Sequence, residues 1–212
     1  MTHPQTSDEW DERYLERERL WSGKPNAVLT QLAEKLGAGG TALDVGCGEG
    51  ADALWLASRG WAVTGIDLSA VAIERARASG AVQNLNAKFY VTDAIDFAKA
   101  APQPFDLVTA FFLHSRDEDQ RAATMAVLPT LVRPGGKLLV VSHAAMPPWS
   151  RHHHHDDGSP RPTFDITPES EIAALGLGED WKIDVAEEIE RPVTDPDGEG
   201  AHLRDAVVLA RR

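Results

Sequence analysis

Residues Asp44 to Gly50 read Asp-Val-Gly-Cys-Gly-Glu-Gly directly after a short apolar run. An acid and three closely spaced glycines at the end of a strand imply a backbone turn built to hold a small nucleotide-like molecule. Glycine lets the main chain approach a ligand and take dihedrals closed to other residues. Gly46-Cys-Gly48-Glu-Gly50-Ala51 also fits the dinucleotide pattern with alanine in the last position, so the glycines alone do not choose between ligands.

The flanking pattern supplies the fold class. Thr41 to Val45 reads as a strand, and Ala51 to Arg59 as a helix that starts at the turn and stops at Gly60. Ala62 to Ile66 is a second strand, and Ser69 caps a helix running to about Ser79. Ala87 to Val91 and Phe105 to Phe112 are the third and fourth strands. A helix over Glu118 to Val132 stops at Arg133-Pro134-Gly135-Gly136, and Lys137 to Ser142 is the fifth strand. Strands alternating with helices at this spacing predict an α/β chain with a mostly parallel, doubly wound sheet covered on both faces. Upstream, helices are expected over Ser7 to Leu20 and Val28 to Leu36. Downstream, Pro168 sits at the first position of a helix that follows Thr167. Trp181 to Ile189 and His202 to Ala210 read as a C-terminal antiparallel hairpin added to the sheet edge. One domain over 1–212 is expected: a helical N-terminal cap over 1–39, a binding core over 40–144, a lid loop over 145–166, and a C-terminal helix and hairpin over 167–212.

Composition excludes several classes. With 212 residues, 42% hydrophobic and 25% charged, the chain is long enough for one well-packed domain. A net charge of −12 without a Lys/Arg cluster argues against a nucleic-acid partner. No apolar run is long enough to span a bilayer, so no membrane partner is expected. A polar N-terminus and a single cysteine fit a cytoplasmic setting, and a monomer or homodimer is expected.

Three acids mark three successive strand ends. Ligands in doubly wound sheets bind at the carboxyl ends of the strands, where the strand order reverses. Asp44 precedes the first glycine. Asp67 ends the second strand, where a carboxylate can accept two hydrogen bonds from a ribose diol. Asp93 ends the third, where it can meet the exocyclic amine of an adenine.

Taken in order, Asp44-Val-Gly-Cys-Gly-Glu-Gly50, Gly65-Ile-Asp67-Leu68-Ser69, Asp93-Ala94, Phe105-Asp106-Leu-Val108 and Arg133-Pro-Gly-Gly136 resemble the motifs of class I S-adenosylmethionine-dependent methyltransferases. The resemblance covers about residues 40 to 142 and implies a Rossmann-like methyltransferase fold with S-adenosyl-L-methionine as cofactor. It implies that Asp44 positions the methionine end of the cofactor and that Gly46 and Gly48 let it lie against the turn. Asp67 would hold the ribose, Leu68 would pack on the adenine, and Asp93 and Ala94 would address the adenine edge. Cys47, Ser69 and Phe111 are included among the expected cofactor contacts. Cys47 reads as a small apolar filler, because no base is placed to make it a nucleophile.

The acceptor is less legible. The Asn/Asp-Pro-Pro-aromatic sequence of DNA amino-methyltransferases is absent after Asp106-Leu-Val108, where the chain runs Ala110-Phe111-Phe112-Leu113-His114. His114 is the candidate general base or substrate contact just past the fourth strand. Trp10-Asp-Glu-Arg-Tyr14 and Leu20-Trp21-Ser-Gly-Lys-Pro-Asn26 resemble the N-terminal segments of the tellurite-resistance and thiopurine/thiol methyltransferase groups, which implies a cap with Trp21 near the cofactor. With that resemblance and no convincing base in the sequence, a small-molecule acceptor with a sulfur, selenium or tellurium nucleophile is favoured over oxygen or nitrogen. The alternatives are an O- or N-methyltransferase and a non-catalytic S-adenosylmethionine-binding protein. Arg151-His152-His153-His154-His155-Asp156-Asp157 reads as part of a lid over the same edge. Its side-chain types could bind zinc, nickel or copper, but adjacent residues seldom all reach one ion, and no metal is expected.

Overall fold

The computed structural model describes residues 6–100, 103–113, 115, 117–144, 166–194 and 198–212. Five strands, β1 (Gly40–Val45), β2 (Trp61–Asp67), β3 (Ala87–Val91), β4 (Phe105–Phe111) and β5 (Val132–His143), run parallel. β6 (Lys182–Thr194) and β7 (Gly200–Arg211) form the expected hairpin, with β7 antiparallel to β5 and inserted between β5 and β6. The order β3-β2-β1-β4-β5-β7-β6 reverses direction between β1 and β4, so the glycine turn after β1 lies at the switch point.

Alternate residues of each central strand feed two cores. Ala42, Leu107, Phe111, Leu139, Val141, Val207 and Leu209 face one, and Leu43, Val45, Val108, Ala110, Leu138, Val140 and Val208 face the other. Burial on both faces explains why these strands are apolar almost without interruption. Helices α2 (Ala27–Gln31), α3 (Ala33–Leu36), α4 (Ala51–Ser58) and α5 (Ala70–Gln83) cover the first core. Helices α6 (Ala94–Ala100), α7 (Glu118–Val127) and α8 (Pro168–Leu175) cover the second.

Several boundaries differ from those expected. The first helix, α1, spans only Ser7–Leu15; a Thr6/Glu9 capping box fixes its start, and the chain beyond it is held instead by Glu49. The helix expected over 28–36 breaks into α2 and α3 at Leu32. The helix expected over 118–132 leaves α geometry at Leu128 and finishes as a 3-10 turn over Leu128–Leu131. Pro129 is the reason, since it has no N–H for an α hydrogen bond and its ring crowds the preceding turn. α6 forms where the sequence pattern predicts no helix, and α5 runs about four residues past the expected end near Ser79.

Gly65 in β2 shows how tightly the sheet meets the turn. A Cβ there would lie 2.6 Å from Phe89 Cδ1 and 2.9 Å from Cys47 Sγ. Gly65→Ala is expected to destabilise the fold by about 1–3 kcal/mol through overpacking. Urea denaturation measures this, and an unchanged midpoint would contradict the packing described.

Candidate functional site

The turn after β1 is held to β2 by its own backbone. Gly46 and Cys47 both donate to the Ile66 carbonyl, at 2.8 and 2.9 Å, and Gly50 donates to Cys47 at 2.9 Å. Gly46, Gly48 and Gly50 all take positive φ. A Cβ on Gly48 would come within 2.9 Å of the Tyr14 hydroxyl, so a side chain there would fill the space above the turn. That space is a cavity of about 790 Å³, walled on one side by the strand ends and on the other by the segment around Trp10 to Ala27.

Acids line its deeper part. Asp44, at the end of β1, is 2% exposed; its Oδ1 accepts from the Thr109 hydroxyl at 2.8 Å, while Oδ2 has no hydrogen-bond partner among the described residues. Burial, then the Asp52 charge, holds its carboxyl well above the usual carboxylate range; the Ala53 amide pulls the other way without reaching hydrogen-bond geometry with Oδ2. Asp52, in the first turn of α4, accepts from the Asn26 amide at 2.5 Å and is pushed by burial from 3.8 to about 6. Asp67 accepts from the amides of Gly48 at 2.8 Å and Ser69 at 2.9 Å, tying the turn to the start of α5, and burial still raises its carboxyl. Asp93 uses Oδ1 to take the Asp96 amide at 2.7 Å at the start of α6.

The wall opposite is tied to the same turn. Glu49 accepts from the amides of Leu20 and Trp21, both at 3.2 Å, and pairs with Arg75 at 3.0 Å. Trp21 Nε1 donates to the Tyr14 hydroxyl at 3.0 Å, and burial, with Asp67 next, pushes that phenol upward. Asp11 receives the Ser69 hydroxyl at 2.5 Å and the Val71 amide at 3.1 Å.

Most residues singled out in the sequence converge on this cavity: Trp21, Asp44, Gly46, Cys47, Gly48, Asp67, Leu68, Asp93, Ala94 and Phe111 all line it. Ser69 does not; it is fully buried, caps α5 through the Ala72 amide and holds Asp11. Burial and Asp67 hold the Cys47 thiol well above its usual value, which suits an inert filler. His114, most of the expected lid and the whole His152–His155 tract lie outside the described residues. Among the described residues no group of three or more His, Cys, Asp or Glu is arranged to hold a metal ion, and no helix is long and apolar enough to cross a membrane.

The sequence pattern gives no role to Asp52 or Glu49, nor to a polar group on the wall of the same cavity. There His143, at the end of β5, meets Asp205 of β7 at 3.0 Å, and Asp205 meets Arg191 of β6 at 2.5 Å. The available signal was Asp205 itself, an acid directly before the apolar run Ala206 to Ala210.

Comparison with known proteins agrees with this geometry. Residues 42–136 match a family model described as a methyltransferase domain. A 2-heptyl-1-hydroxyquinolin-4(1H)-one methyltransferase of Mycobacteroides abscessus is 33% identical over 132 residues, which is 60% of this chain and 58% of that protein. The chain spans about half the length of the curated relatives it matches. A structure described under the conversion of a disulfide bond into a thioacetal group during echinomycin biosynthesis is 26% identical with a TM-score of 0.76, covering 98% of this chain and 93% of that one. TehB from Haemophilus influenzae, 21% identical with a TM-score of 0.67 over 97% of this chain and 66% of that one, shares the fold. The part of the chain that carries the glycine turn and the strand-end acids, residues 42–136, is thus similar to a methyltransferase domain.

Proposed function

We propose that this methyltransferase domain moves a methyl group from S-adenosylmethionine to a small-molecule acceptor bound in the outer part of the same cavity. The observation that carries the reading is Asp44 Oδ2, a buried carboxyl oxygen at the head of the glycine turn with no hydrogen-bond partner among the described residues. A buried carboxylate is costly unless a cation or donor reaches it, and the ammonium of the cofactor's methionine end supplies one. Asp52 adds a second negative charge nearby. Gly48 leaves room for the ligand to lie against the turn.

The remaining roles follow from position. Asp67 has lone pairs beyond those taken by Gly48 and Ser69, which serve the ribose diol. Leu68 and Ala94 form apolar walls for the base, and Asp93 keeps one oxygen for its edge. The bound cofactor supplies an electrophilic methyl on a sulfonium, an excellent leaving group. The chain therefore has to align the acceptor and keep water out. The described part of the N-terminal segment, residues 6–39, acts as the cap, through Trp10, Tyr14, Trp21 and Asn26.

The acceptor class rests on different supports. Net charge −12 disfavours a nucleic acid. The preference for sulfur, selenium or tellurium has two grounds, the N-terminal resemblance and the lack of a convincing base. The His143–Asp205 pair weighs against the second and brings a protic oxygen or nitrogen forward. The relative named for a hydroxyquinolone supports the same direction. Asp67→Ala is expected to weaken cofactor binding by about 1–3 kcal/mol. Isothermal titration tests this, and unchanged affinity would remove Asp67 from the site. Incubation with methyl-labelled cofactor and a panel of phenols, hydroxyquinolones, N–H heterocycles, thiols, selenite and tellurite identifies the acceptor.

A further inference from the structure

His143, Asp205 and Arg191 sit on three adjacent strands, with His143 and Asp205 paired across β5 and β7. Asp205 is fully buried, and both its oxygens are engaged: Oδ1 by His143 Nδ1 at 3.0 Å and Oδ2 by Arg191 Nε at 2.5 Å. Arg191 Nη2 also lies 3.4 Å from Nδ1. The two contacts ask for opposite tautomers. The shorter one decides, because a bare Nδ1 lone pair at 3.0 Å from a carboxylate would be repelled. Nδ1 therefore carries the hydrogen and donates to Asp205, which puts the basic lone pair of the neutral ring on Nε2.

The ring is also fixed from its face. Phe112 stacks on the imidazole with centroids 4.1 Å apart and planes inclined by 25°, and the Arg191 guanidinium lies 5.4 Å from the Phe112 centroid. Phe112 has φ +54°, a left-handed backbone that is rare for an aromatic residue, and its amide is held by the Val141 carbonyl at 2.7 Å. Holding the chain this way puts Phe112 and His143 on the wall of the cavity that Asp44 and Gly46 also line. The neighbouring charges are matched. Arg121 of α7, which reaches Ser142 beside His143, pairs with the buried Glu171 of α8 at 2.7 Å.

We infer that His143, oriented by Asp205 and Arg191, is the general base for a protic oxygen or nitrogen acceptor stacked near Phe112. The inference rests on the methyl-transfer reading above. The acceptor X–H proton passes to His143 Nε2 while its lone pair forms the new bond to the methyl carbon. The carbon–sulfur bonding pair returns to the sulfonium sulfur, leaving a neutral thioether, and the proton leaves the imidazolium for water. Asp205 carries the counter-charge during that step and is a positioning residue.

The test uses the full chain and single-turnover transfer from labelled S-adenosylmethionine to hydroxyquinolones, phenols, N–H heterocycles and matched thiols. His143→Ala is expected to slow transfer to O–H and N–H acceptors by roughly 100- to 10,000-fold. Cofactor affinity stays unchanged, thiols that ionise by themselves lose far less, and added imidazole restores part of the rate. His143→Gln preserves side-chain bulk and should show the same pattern if the alanine variant folds poorly. Asp205→Asn should displace the pH profile of kcat while leaving cofactor KM in place. Equal losses for thiols and protic acceptors, or turnover that His143→Gln does not alter, would overturn the assignment. Failure of wild type to bind S-adenosylmethionine would instead sink the methyltransferase reading itself.

Discussion

Asp44→Asn is expected to weaken S-adenosylmethionine binding by about 10- to 150-fold while making the ligand-free protein harder to unfold above acidic pH. The first effect is the loss of a hydrogen bond to a charged group, about 1.5–3 kcal/mol, at 1.4 kcal/mol per factor of ten. The second follows from burial. The Asp44 carboxyl is held well above 3.8, so the folded chain keeps a proton that the unfolded chain has released once the pH passes about 4. Stability contributed by the protonated form then drains away as pH rises towards the folded value. The amide never ionises, and its oxygen can still accept from Thr109. Calorimetric titration and thermal melts at acidic and neutral pH read the two effects separately. A variant that binds normally, or that melts lower at neutral pH, would contradict this account of the site.

Asp52→Asn is expected to abolish a pH dependence worth on the order of 3 kcal/mol, the free-energy equivalent of moving a carboxyl from 3.8 to about 6. The sign is the same. Between those two values the folded chain holds the proton and the unfolded chain does not, so stability falls as pH rises and levels off above about 6. Asp52 keeps part of its surface open, and solvent there reduces the effect, so the figure is an upper bound. Asparagine retains the oxygen that accepts from the Asn26 amide, so the N-terminal segment should stay in place. Ligand binding moves oppositely. Ionised Asp52 favours a cationic ligand, so wild-type affinity should rise as pH passes through about 6, and the variant's should not. Urea titrations and calorimetry at several pH values compare the two proteins; parallel curves would show that Asp52 does not titrate in this range.

The parallel core and the glycine turn with its strand-end acids were legible because their signals are local. β1 and its glycine turn are contiguous, and the apolar runs of β4 and β5 report burial on both faces without any need to know what covers them. The Pro/Asp/Gly stretch between β6 and β7 announced the hairpin. What was not legible depends on residues far apart in the chain. Nothing in residues 16–21 says that Glu49 will take the Leu20 and Trp21 amides and end α1 at Leu15. α6 was hidden for another reason: Asp93, read as a ligand contact, also serves as the cap that starts it. His143 could be noticed only as the root of a loop. Its partners become visible once β7 is known to lie between β5 and β6, in the register that sets His143 opposite Asp205.

The left-handed backbone at Phe112 bears on how this protein would respond to selection. Glycine or asparagine there would relieve a strained dihedral, and a β-branched residue would aggravate it. Neither glycine nor asparagine replaces the ring that covers His143 and faces Arg191. A saturation library at position 112 sorted for heat resistance should therefore converge on glycine and asparagine, and one sorted for product formation on aromatics. Variation among descendants of this chain would be permitted at 112 only along a path where thermal robustness and throughput trade against each other.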